Sequence, residues 1–424
     1  MRIKQSGLSL TLTTDYQFIT PIIIFVYCCM KKTIVFIALL LLIIFELLRV
    51  YLIMPLPGSQ RMNSIELAYW LGSNQTIIRI ALGLLLAYPL VQLLRQGTKT
   101  QKIVTLILLV IYGVVAYLFN WKMEADKMFY QPKQVRMVPV ENNRVGDDKL
   151  VIGVEIGGEA RAYPIQQIGY HHQVRDTIDD VHLMVTYCTV CRTGRVFSPV
   201  VNGRVESFRL VGMDHFNAMF EDASTKSWWR QSTGECIAGP LRGQQLTEIP
   251  SRQVSLGAWK RAHTNTLILQ PDSNYKEPID KMAAYESGKS KSQLTKRDSL
   301  SWQEKSWVLG ISTGTVARCY DWNELLKNRE IKDSLPNLPL IIVLENDGTS
   351  FHAYERRLNN QSLQLVRKAE GIYDAASGTL WNFDGIGMSG ILKSETLRRI
   401  PCYQEYLHSW EYFHPGSTRY PNKK

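Results

Sequence analysis

The sequence predicts a mainly β (α+β) soluble domain, built as a tandem repeat and preceded by an α-helical transmembrane unit. Three observations carry that prediction. Long apolar runs are confined to the region before Asn120, an ungapped self-similarity appears later in the chain, and short Val/Ile/Tyr/Phe-rich runs there are separated by Gly-containing turns. With 45% hydrophobic and 21% charged residues over 424 positions, the chain has material for two or more cores beyond any membrane part. Five segments are expected: 1–29 as an over-extended start, 30–120 as a membrane unit of about three helices, 121–271 as a first β-rich lobe, 272–305 as a polar linker, and 306–424 as a second, diverged lobe.

Thr33 to Ile53 is apolar apart from Glu46 and Arg49, and its length suits a hydrocarbon layer of about 30 Å. Those two charges stand three apart on one helical face and are expected to pair. Ile77 to Leu94, with Arg79 near its end placed to snorkel, and Ile103 to Phe119, with no charge, are the second and third expected spans. Phe18 to Cys29 is apolar but short for a crossing, and Met30-Lys31-Lys32 resembles a natural start.

Lys31 and Lys32 precede the first span, and Arg95, Lys99 and Lys102 lie between the second and third, whereas the loop from Pro55 to Thr76 holds only Arg61. The positive-inside rule then puts everything after Asn120 on the extracytoplasmic side. The lipid bilayer is the expected partner, together with a membrane or extracytoplasmic protein. The net charge of +11 is scattered among acids rather than gathered into a stripe, which argues against a nucleic-acid partner.

Val151 to Tyr163 (VIGVEIGGEARAY) aligns without a gap to Val308 to Tyr320 (VLGISTGTVARCY), with six identities in thirteen positions; chance gives about one. The register continues through Leu210-Val211 with Leu365-Val366, Asp222 to Trp229 with Asp374 to Trp381, and Trp259 and His263 with Trp410 and His414. Each His follows its Trp by four residues, a helical spacing that indicates packing. Only Leu256 to Ala262 and Glu405 to Tyr412 read as short helices. Asp272 to Lys305, with SGKSKSQLTKRD, reads as an exposed connection.

Cys188 and Cys191, in TYCTVCRTG, form the one close cysteine pair beyond the doubtful start. They are expected at the end of a strand, before a turn containing Gly194, and accessible at a sheet edge. Such a pair can cycle between dithiol and disulfide or give soft ligands to copper or zinc. The following RTGRVF favours a turn and strand, unlike a thioredoxin site at a helix N-terminus. Zinc needs four ligands, so His171, His172, His182 or His215 would complete its set. An adjacent pair such as His171-His172 is more often a packing feature. The bland alternative for the thiols is half-buried strand-end residues or a simple disulfide. The second copy offers LPLIIVLENDGTS at this place, without cysteine.

No Walker loop, H-E-x-x-H helix, G-x-S-x-G elbow or dinucleotide fingerprint occurs. The motifs GEARAYPI, VTYCTVCRTGRVF, DASTKSWWRQSTGE and IAGPLRGQQL, in that order, resemble the bacterial and archaeal family called domain of unknown function 3179, over about Val151 to Pro271. The resemblance implies a fold identity without an established activity; with the family bacterial and archaeal, the membrane expected from the apolar spans is a bacterial or archaeal cell membrane. It makes Cys188 the motif cysteine, with Thr189 where the family usually has Pro. Tyr187, Gly194, Phe197, Asp222, Trp228 and Gly239 fall on motif positions. The function expected first is a membrane-anchored extracytoplasmic binding or assembly module; the alternative is a thiol-disulfide redox or copper/zinc-handling protein using Cys188 and Cys191.

Overall fold

A computed structural model describes residues 16–421, with side chains from 33 onward, so most of the doubtful 1–29 start lies outside the described residues. The chain divides into two compact units, one of residues 1–51 and 67–123 and one of 52–66 and 124–424.

The first unit is helical. Three of its helical stretches, Thr33–Tyr51, Gln75–Gln96 and Lys99–Lys122, are long and apolar enough to cross a membrane. Val35, Leu39, Leu42, Leu86 and Leu93 pack between them. The expected Glu46–Arg49 ion pair forms, while Arg79 departs from its expected place. Glu46 is fully buried, and its closest cation is Arg79 at 2.7 Å, with Arg49 at 3.6 Å. Asn120 completes the network, donating to Glu46 at 3.2 Å and accepting from Arg49 and Arg79 at 2.6 and 2.7 Å. Arg79 therefore turns inward instead of snorkelling, because a carboxylate in an apolar bundle binds the nearest guanidinium in a bidentate grip.

The second unit is mixed α/β, made of several small sheets. Leu150–Ile156 and Glu159–Pro164 form the expected hairpin, with Gly157 and Gly158 both at positive φ in the two-residue turn. Arg252–Ser255 flanks the first strand antiparallel, and Leu267–Leu269 flanks the second in parallel. Later in the chain, Trp307–Ser312 pairs with Ala317–Asp321, flanked antiparallel by Tyr403–Tyr406 and in parallel by Thr418–Tyr420. Each of these sheets is followed by a three-stranded sheet. One comprises Gln173–Ile178, Val181–Cys188 and Thr193–Phe197; the other comprises Glu330–Leu335, Leu338–Leu344 and Phe351–Glu355.

Local contacts recur with the strands. Arg161 and the Tyr163 hydroxyl meet Asp176 at 2.6 and 2.8 Å, as Arg318 and Tyr320 meet Asp333 at 2.7 and 2.9 Å. The Trp259 and His263 rings lie 4.0 Å apart, and those of Trp410 and His414 3.7 Å, in keeping with a packing role. Asp222 and Asp374 accept from backbone N–H groups of their own turns.

Helices are more numerous than the sequence indicated. Ile165–His171 and Trp322–Asn328 connect the hairpins to the three-stranded sheets, each too short to display a helical period. The segment read as an exposed connection carries the helix Lys276–Glu286, with Tyr285 and Glu286 buried. The Glu286 carboxylate accepts from the Leu150 N–H and the Gln166 amide, which explains an acid inside that helix's packed end.

Gly153 and Gly310 are required by the indoles above them: an added Cβ would come within 2.3 Å of Trp259 and 2.0 Å of Trp410. Gly153→Ala is expected to destabilise the second unit by about 1–3 kcal/mol through overpacking, measured by chemical denaturation.

Candidate functional site

Val181–Cys188 is the central strand of its sheet, so Cys188 ends a covered strand rather than an edge. Both Cys188 and Cys191 have 0% exposure, which overturns the expectation of an accessible pair. Gly194 lies inside the strand Thr193–Phe197 instead of the turn. The turn is made by Arg192 at φ 58°, whose guanidinium carbon lies over the Trp307 ring, 3.6 Å from its centroid, and whose Nε donates to Gln404 at 2.8 Å. The fixed guanidinium stabilises the turn from the side-chain end.

The thiols are free, and both face the Phe216 carbonyl, Cys188 at 3.6 Å and Cys191 at 3.3 Å. Burial pushes the Cys188 thiol up. A hydrogen bond from the Cys191 thiol and N–H groups of Ala218, Cys191 and Val190 outweigh that and hold it below the usual thiol range. Cys191 goes the other way, raised by burial and by its donation to Cys188. The surroundings thus bias the two sulfurs in opposite directions, Cys188 toward the thiolate and Cys191 toward the thiol.

The other free thiols lack this support: burial raises Cys236 to about 11 and Cys319 to about 12, and lifts Cys402 as well. Cys188 alone among the five is held low.

Distant parts of the sequence complete the site. Lys305 Nζ donates to the carbonyls of Val190 and Leu294, both at 2.8 Å, and so puts a cation on the C-x-x-C turn. Burial lowers the Lys305 ammonium, and attraction to the two thiols opposes that. Tyr406 N–H donates to the Cys191 carbonyl at 2.9 Å, and the Ser409 hydroxyl reaches both Cys191 and Thr193. His408, with its pKa driven to about 3 by burial and by Lys305, is neutral and caps the Glu304 carbonyl through Nδ1 at 3.0 Å. These residues fall more than a hundred positions after the cysteines, and no local pattern marks them.

The candidate histidines are occupied elsewhere. His215 is held by Asp214 at 2.5 Å and by the Tyr412 hydroxyl at 2.8 Å, with Tyr412 stacked on its ring. His171 meets the Tyr130 carbonyl at 2.5 Å, and exposed His182 meets Thr177 at 3.0 Å. His172 is buried against Phe129, with centroids 4.5 Å apart. Among the described residues no three His, Cys, Asp or Glu side chains are grouped to hold a metal ion. At the equivalent end of the other three-stranded sheet stands Glu345, bonded to His352 at 2.8 Å.

An apolar cavity of about 370 Å³ adjoins the turn, its lining including Thr189, Val190, Ala218, Met213, Phe129 and His172.

Replacing Cys191 with Ala removes the donor to Cys188, so the Cys188 ionisation moves to higher pH in a thiolate absorbance titration, while Cys191→Ser, which keeps an O–H donor, moves it less. A second expectation concerns His172, depressed from 6.5 to about 4 chiefly by burial. Between those values the unfolded chain binds more protons, so stability rises with pH across that window, by at most about 1.4 kcal/mol per pH unit. His172→Phe flattens that slope in denaturation curves taken across the same window.

A family model described as a protein of unknown function, DUF3179, matches residues 131–417. No curated protein and no solved structure matches the chain.

Proposed function

The chain belongs to the DUF3179 family, whose description carries no activity, and on that premise we propose a function from the site itself: a two-electron thiol redox centre at Cys188 and Cys191, carried by a membrane-anchored extracytoplasmic domain. The observation that carries it is the polarised pair, with Cys188 held low, Cys191 held high and Lys305 bonded to the turn between them. In the reaction both S–H groups are lost, one S–S bond forms, and two electrons and two protons pass to an acceptor.

Three apolar helices and the placement of Lys31, Lys32, Arg95, Lys99 and Lys102 support a multi-pass anchor with the later unit outside. The matching strand orders, the paired Arg-Tyr-Asp contacts and the two Trp-His stacks support a tandem repeat of two lobes, 121–271 and 306–424, joined by 272–305. On this reading the second lobe supplies Tyr406 and Ser409 to the thiol site of the first.

A binding module without chemistry is the second reading, and the apolar cavity beside the turn favours it.

Treating the reduced chain with a small thiol oxidant is expected to remove both site thiols reversibly, and Cys188→Ser to abolish the change, as read by mass-tagging of free thiols. Thiols that stay reduced under denaturing quench support the binding module instead, and stoichiometric copper lost in Cys188→Ser supports coordination. A C-terminal tag on intact cells is expected to be digested by external protease; its protection would place the domain inside.

A further inference from the structure

The cavity beside the C-x-x-C turn shares its wall with the packing around the thiols. Val190, Leu210, Met213 and Ala218 line it, and all four belong to the buried cluster that holds Cys188 and Cys191. The cavity wall and the thiols are therefore parts of one packed core, although neither cysteine is exposed. Any acceptor that reaches this pair must be small enough to enter about 370 Å³, which a folded protein disulfide is not.

The lining selects further. Leu210, Met213, Met54 and Phe129 make it predominantly apolar, and the Phe129 and His172 rings provide flat faces. Among the polar residues of the lining, which also include Lys281, Ser292 and Thr189, the Ser290 and Thr295 hydroxyls are bonded to each other at 2.7 Å and can turn a donor toward a carbonyl oxygen. Met54 and Pro55 follow the apolar Thr33–Tyr51 helix within a few residues of sequence.

We propose that this cavity binds a lipophilic quinone, and that the quinone is the two-electron acceptor for the Cys188–Cys191 dithiol. The proposal rests on the redox reading of the pair. Cys188 and Cys191 form an S–S bond, and the two electrons released convert the two quinone C=O groups to C–OH. Cys191 supplies one proton, and solvent returns the proton that Cys188 gave up on ionising. Contact between sulfur and ring follows displacement of the Val190 side chain from the wall. An apolar acceptor of this class takes both electrons and both protons without leaving a covalent adduct, which fits a predominantly apolar lining.

The test uses the full chain, reduced and held anaerobically in detergent micelles, with a decyl-substituted, fully substituted benzoquinone as probe; it has no open ring carbon for thiol addition. The expected result is loss of both site thiols with formation of one equivalent of hydroquinone, followed by absorbance and thiol tagging. Met282→Trp, which fills the cavity from a lining position with no polar role, is expected to slow the quinone reaction by about tenfold or more, equivalent to about 1.4 kcal/mol, while leaving oxidation by diamide unchanged. Ser292→Trp serves the same purpose if the first variant does not fold.

Oxidation by diamide without reaction toward the quinone overturns the quinone assignment and leaves the redox reading standing. An unchanged quinone rate in both cavity-filling variants overturns the cavity as the site. Failure of both oxidants to form the S–S bond overturns the redox reading itself.

Discussion

The hydrogen bond from Tyr406 N–H to the Cys191 carbonyl is the contact on which the thiol site depends. It ties the C-x-x-C turn to a strand more than two hundred residues later, and it acts beside a charged pair that fixes the same register. Arg195, almost fully buried, reaches Glu405 at 2.8 Å and lies 3.4 Å over the Tyr403 ring. A buried ion pair adds little net stability, because desolvation offsets attraction, yet leaving either charge alone costs about 3–5 kcal/mol. Slippage of this strand would expose the molecule to that cost, so the turn and its carbonyls are held in one place.

Holding the turn still is what makes unequal thiols feasible. A thiolate in a dry core is unfavourable unless donors already point at it. Here the donors are the Ala218, Val190 and Cys191 N–H groups and the neighbouring thiol, which belong to elements with little freedom. Lys305 adds a nearby positive charge whose own hydrogen bonds go to main-chain carbonyls, so its position does not depend on the ionisation state of the sulfurs. Glu345, at the matching end of the other three-stranded sheet, solves the same burial problem differently, with a His352 ring and an Arg261 guanidinium as partners.

Local patterns revealed much of this architecture. Alternation and paired glycines marked the Leu150–Ile156 hairpin, and the four-residue Trp-His spacing marked two packing stacks. Short helices escaped because Ile165–His171 offers barely two turns, which apolar periodicity does not distinguish from a strand end. The helix in the polar segment escaped because a few residues, Ile279 and Tyr285 among them, do its packing while Lys276, Glu277, Asp280 and Lys281 face water. For the site, the cysteines were evident and their surroundings were not. The glycine-based turn expectation failed since Arg192 adopts the left-handed conformation itself, and the burial expectation failed since the covering residues come from the far end of the chain. Arg79 misled in the same way: a charge near a helix end suggests an interface, and only the three-dimensional position of Glu46 turns it inward.

A sulfur sealed at zero exposure reacts at the pace set by the core around it. For a reagent too bulky to enter the closed core, the observed rate is the intrinsic reaction multiplied by the fraction of molecules open at any instant, or the opening rate itself when the reagent is fast. The low ionisation of Cys188 would therefore be invisible to large alkylating agents and plain to small ones, and comparing reagents of graded size would read out the breathing of the core directly.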